Sequence, residues 1–432
     1  MSTEVSARKI FSLAGPALGV LAASPLYLLL DTAVVGRLGG FELAALGAGT
    51  TIHSMVTSQL TFLIYGTTAR ASRLYGQGKR DAAVAEGVQS TWVGITVGLG
   101  LMAIMMLGAP SFAQWLTGDP IVAAETAKWL RVAAIAIPLT LTIMAGNGWL
   151  RGVQDTRSPL LYTLAGVIPM AILVPLLVQH MGLVGSAVAN VLGMGIVSCC
   201  FLIRLFKEHR GSWRPRKDVI INQLQMGRDL IVRSLSFQVA FLSAAAVAAR
   251  FGTSSLAAHQ VLLQLWNFLS MVLDSLAIAA QTLTGAALGG GSILVARAVG
   301  LKVTRYSTIF AAGLAVILAL GSPFIPHIFT TDAGVLETIA GPWWLLVGLV
   351  VLGGVVFALD GVLLGAGDAA YLRNSTIAAV VCGFLPGVWI AYVLKAGLTG
   401  VWCGLVAFLF ARLVFVSWRF HSMRWAKISD AD

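Results

Sequence analysis

Three acids interrupt long apolar runs in this sequence. Asp31 lies in Pro25-Leu-Tyr-Leu-Leu-Leu-Asp-Thr-Ala-Val-Val-Gly36, Asp274 in Met271-Val-Leu-Asp-Ser-Leu276, and Asp360 in Phe357-Ala-Leu-Asp-Gly361. An ionised carboxylate in hydrocarbon is costly, so each acid is read as protonated, hydrated in a cavity, or neutralised by a bound cation. The same reading places no Lys or Arg in mid-span to pair with them. Asp31 has Tyr27 four residues earlier on the same helix face and Thr32 beside it. It falls near the end of its run, which predicts a pocket open to one side of a membrane. Asn or Thr could fill a packing role at lower cost, so Asp31 is assigned a functional one. Asp274 and Asp360 fit either a direct role or the anchoring of helix contacts.

The remaining polar candidates are amides and a histidine inside apolar runs, among them Asn147, Asn190, Gln238 and His259. Such groups line a pathway or satisfy hydrogen bonds between helices. No phosphate-loop lysine motif, HExxH, GxSxG or zinc spacing occurs. The cysteines are an adjacent pair, Cys199 and Cys200, and two singletons, Cys382 and Cys403, with no CxxC or disulfide framework. The chain is therefore expected not to be an enzyme, to need no cofactor or metal, and not to be driven by ATP on its own.

The elements that must position these residues are membrane spans. The chain has 432 residues, is 58% hydrophobic and 11% charged, and has a mean hydropathy of +0.87. Its apolar runs reach the 20 or so residues that a helix needs to cross about 30 Å of hydrocarbon. The fold class expected is an all-α polytopic membrane protein with twelve transmembrane helices, at 10–36, 43–69, 85–109, 127–150, 159–178, 183–203, 230–249, 255–287, 304–326, 343–365, 374–394 and 398–418. The first run is too long for a cleaved signal peptide and is read as an uncleaved span. Sorting the 29 basic residues by side gives 24 against 5, the five being Arg37, Lys128, Arg131, Arg250 and Lys395. The positive-inside rule then puts both termini in the cytoplasm. The net charge of +11 follows from that topology, and no nucleic-acid partner is implied. The expected organisation is an N-terminal six-helix bundle at 1–203, a cytoplasmic linker at 204–229, and a C-terminal six-helix bundle at 230–432 with a short cytoplasmic tail.

The halves resemble each other at an offset of 213 residues. Arg37-Leu-Gly39 recurs as Arg250-Phe-Gly252, Asp119 as Asp332, and Leu150, Gly152 and Asp155 as Leu363, Gly365 and Asp368. A shift to 215 aligns Gly182, Gly185 and Arg204 with Gly397, Gly400 and Arg419. With six spans each, the halves are parallel repeats, a transporter architecture that works by alternating access.

The stretches Leu30-Asp-Thr-Ala-Val-Val-Gly36, Trp149-Leu-Arg-Gly-Val-Gln154, Leu256-Ala-Ala-His-Gln260 and Leu359-Asp-Gly361 with Arg373-Asn374-Ser375 resemble the multidrug and toxic compound extrusion (MATE) family, in the branch typified by DNA-damage-inducible protein F. The resemblance spans nearly the whole chain. It implies export of cationic or amphipathic small molecules coupled to inward proton or sodium flow, in a bacterial cytoplasmic membrane, by a monomer in the lipid bilayer. By position, Asp31 matches the acid taken as the protonation site, Tyr27 its neighbour, and Pro16 the proline where the first helix bends. Asn190 matches a polar residue facing that acid, and Asp360 an acid that other branches use for cation binding. Gln238 stands where those branches place a glutamate. Many relatives carry an Asn/Asp pair in the fifth helix, but Gly166-Val-Ile-Pro-Met-Ala-Ile-Leu-Val-Pro-Leu-Leu177 has none. A single carboxylate suits a proton better than sodium, so proton coupling is expected, with sodium-coupled export and flipping of a lipid-linked precursor as alternatives. A large anionic cargo should require basic residues inside the cavity, and the sequence reading places almost none there.

Overall fold

Long apolar runs with few backbone breakers fold as helices because hydrocarbon offers no partners for free N–H and C=O groups. The computed structural model of the chain describes residues 5–428, leaving the first four residues and the last four of the expected tail outside. The helices are α1 (Ala7–Gly36), α2 (Gly40–Thr57), α3 (Phe62–Gly76), α4 (Arg80–Thr117), α5 (Pro120–Ala133), α6 (Ala136–Gly152), α7 (Arg157–Met181) and α8 (Leu183–Glu208). The second half adds α9 (Lys217–Arg250), α10 (Thr253–Gly289), α11 (Ile293–Leu320), α12 (Ile325–Phe329), α13 (Ala333–Gly365), α14 (Ala369–Ala379), α15 (Leu385–Val393) and α16 (Gly397–His421). No strand occurs among the described residues.

Ten of these segments are long and apolar enough to span a membrane singly, α14 and α15 counting as one through the π-turn that joins them, and α5 with α6 forms an eleventh span bent by 42°. The twelfth is α2 with α3, joined by a 3-10 turn at Ser58–Thr61 and too polar to stand out alone. The fold is the expected all-α membrane fold of twelve spans in two repeats. Two details differ from the sequence reading. The spans at 43–69 and 127–150 are each two helices, and much of the expected 204–229 linker is helical, since α8 continues to Glu208 and α9 starts at Lys217.

The repeat is visible in the element ends. Gly40–Gly76 and Thr253–Gly289 lie 213 residues apart at both ends, as do Pro120–Gly152 and Ala333–Gly365. Asp119 caps α5 by accepting from the Ile121 N–H, and Asp332 caps α13 by accepting from the Val335 N–H. Gly78 and Gly291 both take a φ of 77°, which only glycine adopts readily, and each sits just before α4 or α11.

The described chain divides into two compact units. One comprises Gly15–Gly227; the other comprises the segment ending at Ala14 and the segment from Arg228 onward. The chain thus passes from one unit to the other inside α1, two residues before Pro16, and inside α9. Helix α1 is unbroken through Pro16 and Pro25. In the first unit, glycines on α6 let the backbones close up: a Cβ on Gly152 would lie 2.4 Å from that of Ala71 on α3. In the second unit the equivalent Gly361 and Gly365 of α13 lie against α10, where a Cβ would fall 2.2 Å from the Ala277 carbonyl oxygen and 2.3 Å from that of Gln281. These small-residue pairs four apart are how helices pack in lipid without a hydrophobic drive. Residues 213–223 of the expected linker are held on the first unit. The Gln89 amide donates to the Arg214 carbonyl and accepts from the Arg216 N–H, Trp92 donates to the Trp213 carbonyl, and Gln223 donates to Ser90.

Candidate functional site

In the first unit, α1 buries Asp31 to 3% exposure. Its Oδ2 accepts a 2.8 Å hydrogen bond from the Ser186 hydroxyl of α8, and Ser186 in turn accepts from the indole N–H of Trp129 on α5 at 3.3 Å. Trp129 reaches this position because Gly49 leaves room for its ring, where a Cβ would come within 2.6 Å. His53 of α2 meets the Trp129 ring edge-on at 6.3 Å. Asp31 makes no ion pair among the described residues, and its Oδ1 is buried without a hydrogen-bond partner. The Tyr27 hydroxyl, one turn back on α1, is likewise buried and unpartnered. A carboxylate so placed lacks a protein cation to compensate its charge, and a proton or a bound cation must supply the compensation.

Asn147 on α6 donates from Nδ2 to the Ile143 carbonyl, while its Oδ1 is buried without a partner. Asn190 lies one turn beyond Ser186 on α8, half-buried. No hydrogen bond joins Asp31 to Tyr27, Asn147 or Asn190; Ser186 and Trp129 are the residues brought to it. Sequence reasoning missed both. The i, i+4 spacing of Ser186 and Asn190 was a usable signal for Ser186, whereas nothing local marked Trp129.

The second unit gives Asp360 basic partners that the sequence reading did not place beside it. This acid is buried on α13. Arg233 of α9 donates to Oδ2 at 2.7 Å, and Nη2 of Arg412 on α16 spans Oδ1 at 2.8 Å and Oδ2 at 2.7 Å. The statement that no Arg lies in mid-span thus fails. Both arginines, sorted by sequence with the cytoplasmic charges, point into the bundle. Arg412 had a legible signal, since it interrupts Leu409-Phe-Ala-Arg-Leu-Val-Phe415. Gln238 follows Phe237 on α9 and Asp274 lies on α10, both half-buried. His259 is fully buried and accepts from the Trp402 indole at 3.2 Å, a packing arrangement.

Twelve spans in two repeats, with a deeply buried unpaired acid in one unit and a charged triad in the other, are the architecture of a polytopic membrane transporter. The family model described as MatE matches residues 16–177 and 230–389, and the chain belongs to that family of multidrug and toxin transporters. It is 29% identical to Protein DETOXIFICATION 44, chloroplastic, of Arabidopsis thaliana over 95% of this chain and 81% of that protein. It is 28% identical to DNA damage-inducible protein F of Escherichia coli (strain K12), covering 92% of this chain and 88% of that one. The solved structure of MATE in the bent conformation matches its fold with a TM-score of 0.89 at 21% identity, over 96% of each chain.

Proposed function

We propose that this transporter is a secondary active antiporter that exports small cationic or amphipathic molecules in exchange for inward protons, with Asp31 as the group that carries the proton. The observation that carries this reading is Asp31 itself: it is buried, bonded to a single hydroxyl, and free of any ion pair among the described residues. Ionised, it attracts a cationic cargo in a low-dielectric site; protonated, it loses that attraction and releases the cargo. Sodium favours several oxygen ligands, and among the candidates Asp360 is already occupied by two guanidinium groups. That supports a proton over sodium as the coupling ion.

The same reading places both termini in the cytoplasm of a bacterial cell, takes the working unit as a monomer, and makes the two six-helix halves the bodies that exchange access. The test is ethidium uptake into everted vesicles, which corresponds to export from the cell, driven separately by a pH gradient and by a sodium gradient. The expected outcome is uptake on the pH gradient alone, with at least a hundredfold loss in a folded Asp31→Asn protein. Normal uptake with that variant would overturn the mechanism. Drive by sodium alone would establish the sodium reading, and no uptake under either gradient would favour the lipid-precursor reading.

A further inference from the structure

The buried acids Asp31 and Asp360, one in each unit, have opposite surroundings. Asp31 keeps an unpartnered acceptor, Oδ1, and no cation among the described residues, whereas Asp360 is met by two guanidinium groups whose own donors Arg233 Nε and Arg412 Nε are buried without a partner. Position 147 is the repeat equivalent of 360, so the substitution of an acid there comes together with the two arginines around it. Arg233, Arg412 and Asp360 carry two formal positive charges and one negative, and their side chains are only 15%, 3% and 8% exposed. A buried excess of positive charge with unused N–H groups calls for an anion.

The surroundings narrow what that anion is. Phe237 lies beneath both guanidinium groups, 5.3 Å from Arg233 Cζ and 5.0 Å from Arg412 Cζ, and Phe408 packs edge-on against Phe237 at 5.7 Å. The aromatic face lessens the excess charge without supplying a hydrogen-bond acceptor. Guanidinium forks match planar oxyanions in pairs, and an apolar aromatic wall suits a ring attached to one. Arg412 is fixed by both oxygens of Asp360, while Arg233 gives up one donor to it and retains more exposure, so Arg233 is the arm that meets a ligand.

We infer that Arg233 and Arg412 form an oxyanion-binding subsite in the second unit, which takes the carboxylate of an aromatic amphiphile and extends the cargo to anionic and zwitterionic molecules. The inference takes the transporter reading as given and is independent of the coupling ion.

The test is direct binding, which needs no gradient. Fluorescein, an aromatic carboxylate, is titrated with the full-length protein in a nonionic detergent and followed by anisotropy, with ethidium titrated in parallel. The expected result is saturable fluorescein binding, displaced by benzoate, with a fluorescein-to-ethidium affinity ratio that falls at least tenfold in Arg233→Gln. Asp360→Asn, which removes the internal counter-charge and keeps both arginines, should raise fluorescein affinity several-fold. Absence of saturable binding by the parent protein, or an unchanged ratio in a folded Arg233→Gln, would overturn the proposal and leave the triad a packing device. Displacement by phosphatidylglycerol but not by benzoate would assign the oxyanion to a lipid headgroup and overturn the cargo reading. Failure of proton-driven efflux with fluorescein binding intact would count against Asp31 coupling alone.

Discussion

Asp31 depends on one hydroxyl. A hydrogen bond to a charged acceptor is worth about 1.5–3 kcal/mol, and Ser186 supplies the one that Asp31 receives. Ser186→Ala is therefore expected to slow proton-driven ethidium efflux by on the order of tenfold, less than Asp31→Asn does, in a protein that elutes as a normal monodisperse peak. Equal rates in Ser186→Ala and the parent protein would show that the hydroxyl does not position the acid. At this scale the sequence revealed Asp31, because an acid amid leucines is conspicuous wherever the chain folds. It concealed the contrast with Asp360. One acid lacks a cationic neighbour and the other has two, and those two come from helices 127 and 52 residues distant in sequence.

The crossing of α10 and α13 is a backbone contact through glycine. A Cβ on Gly361 would lie 2.2 Å from a carbonyl oxygen, so Gly361→Ala must separate the helices, and overpacking of this kind costs about 1–3 kcal/mol. Gly348→Ala on the same helix meets nothing within 4 Å and should cause no loss. Thermal unfolding of the detergent-solubilised proteins compares the two, and equal midpoints would refute the close-contact account. The cap on α13 is a separate, smaller term. Asp332→Ala removes the acceptor for the Val335 N–H and should lower stability by about 1 kcal/mol in the same assay. Gly365 was visible in the sequence as part of the repeat, but its partner helix was not, since small residues occur on nearly every span.

The arrangement of the whole chain across the membrane rests on charge asymmetry, which cysteine labelling tests. With the four native cysteines replaced, a cysteine at exposed Ser212 should react with an impermeant maleimide in everted vesicles, and one at exposed Thr331 in intact cells. The reverse pattern would invert the topology. Arg233 and Arg412 belong inside the bundle and not among the loop charges, yet removing them from a majority of 24 against 5 leaves the asymmetry in place.

The amino-acid sequence by itself determined the number of spans, the repeat and the presence of a costly acid at position 31, because each follows from local chain chemistry: apolar length, recurrent breaks and the desolvation of charge. Tertiary structure decided which charges meet. The pairing of Asp31 with Ser186 and of Asp360 with two arginines depends on which helix faces turn toward each other, and in lipid those faces differ little in hydrophobicity from the ones turned outward. The surroundings of each acid were therefore not legible from the order of residues. It emerges only when side chains from separate helices share a site.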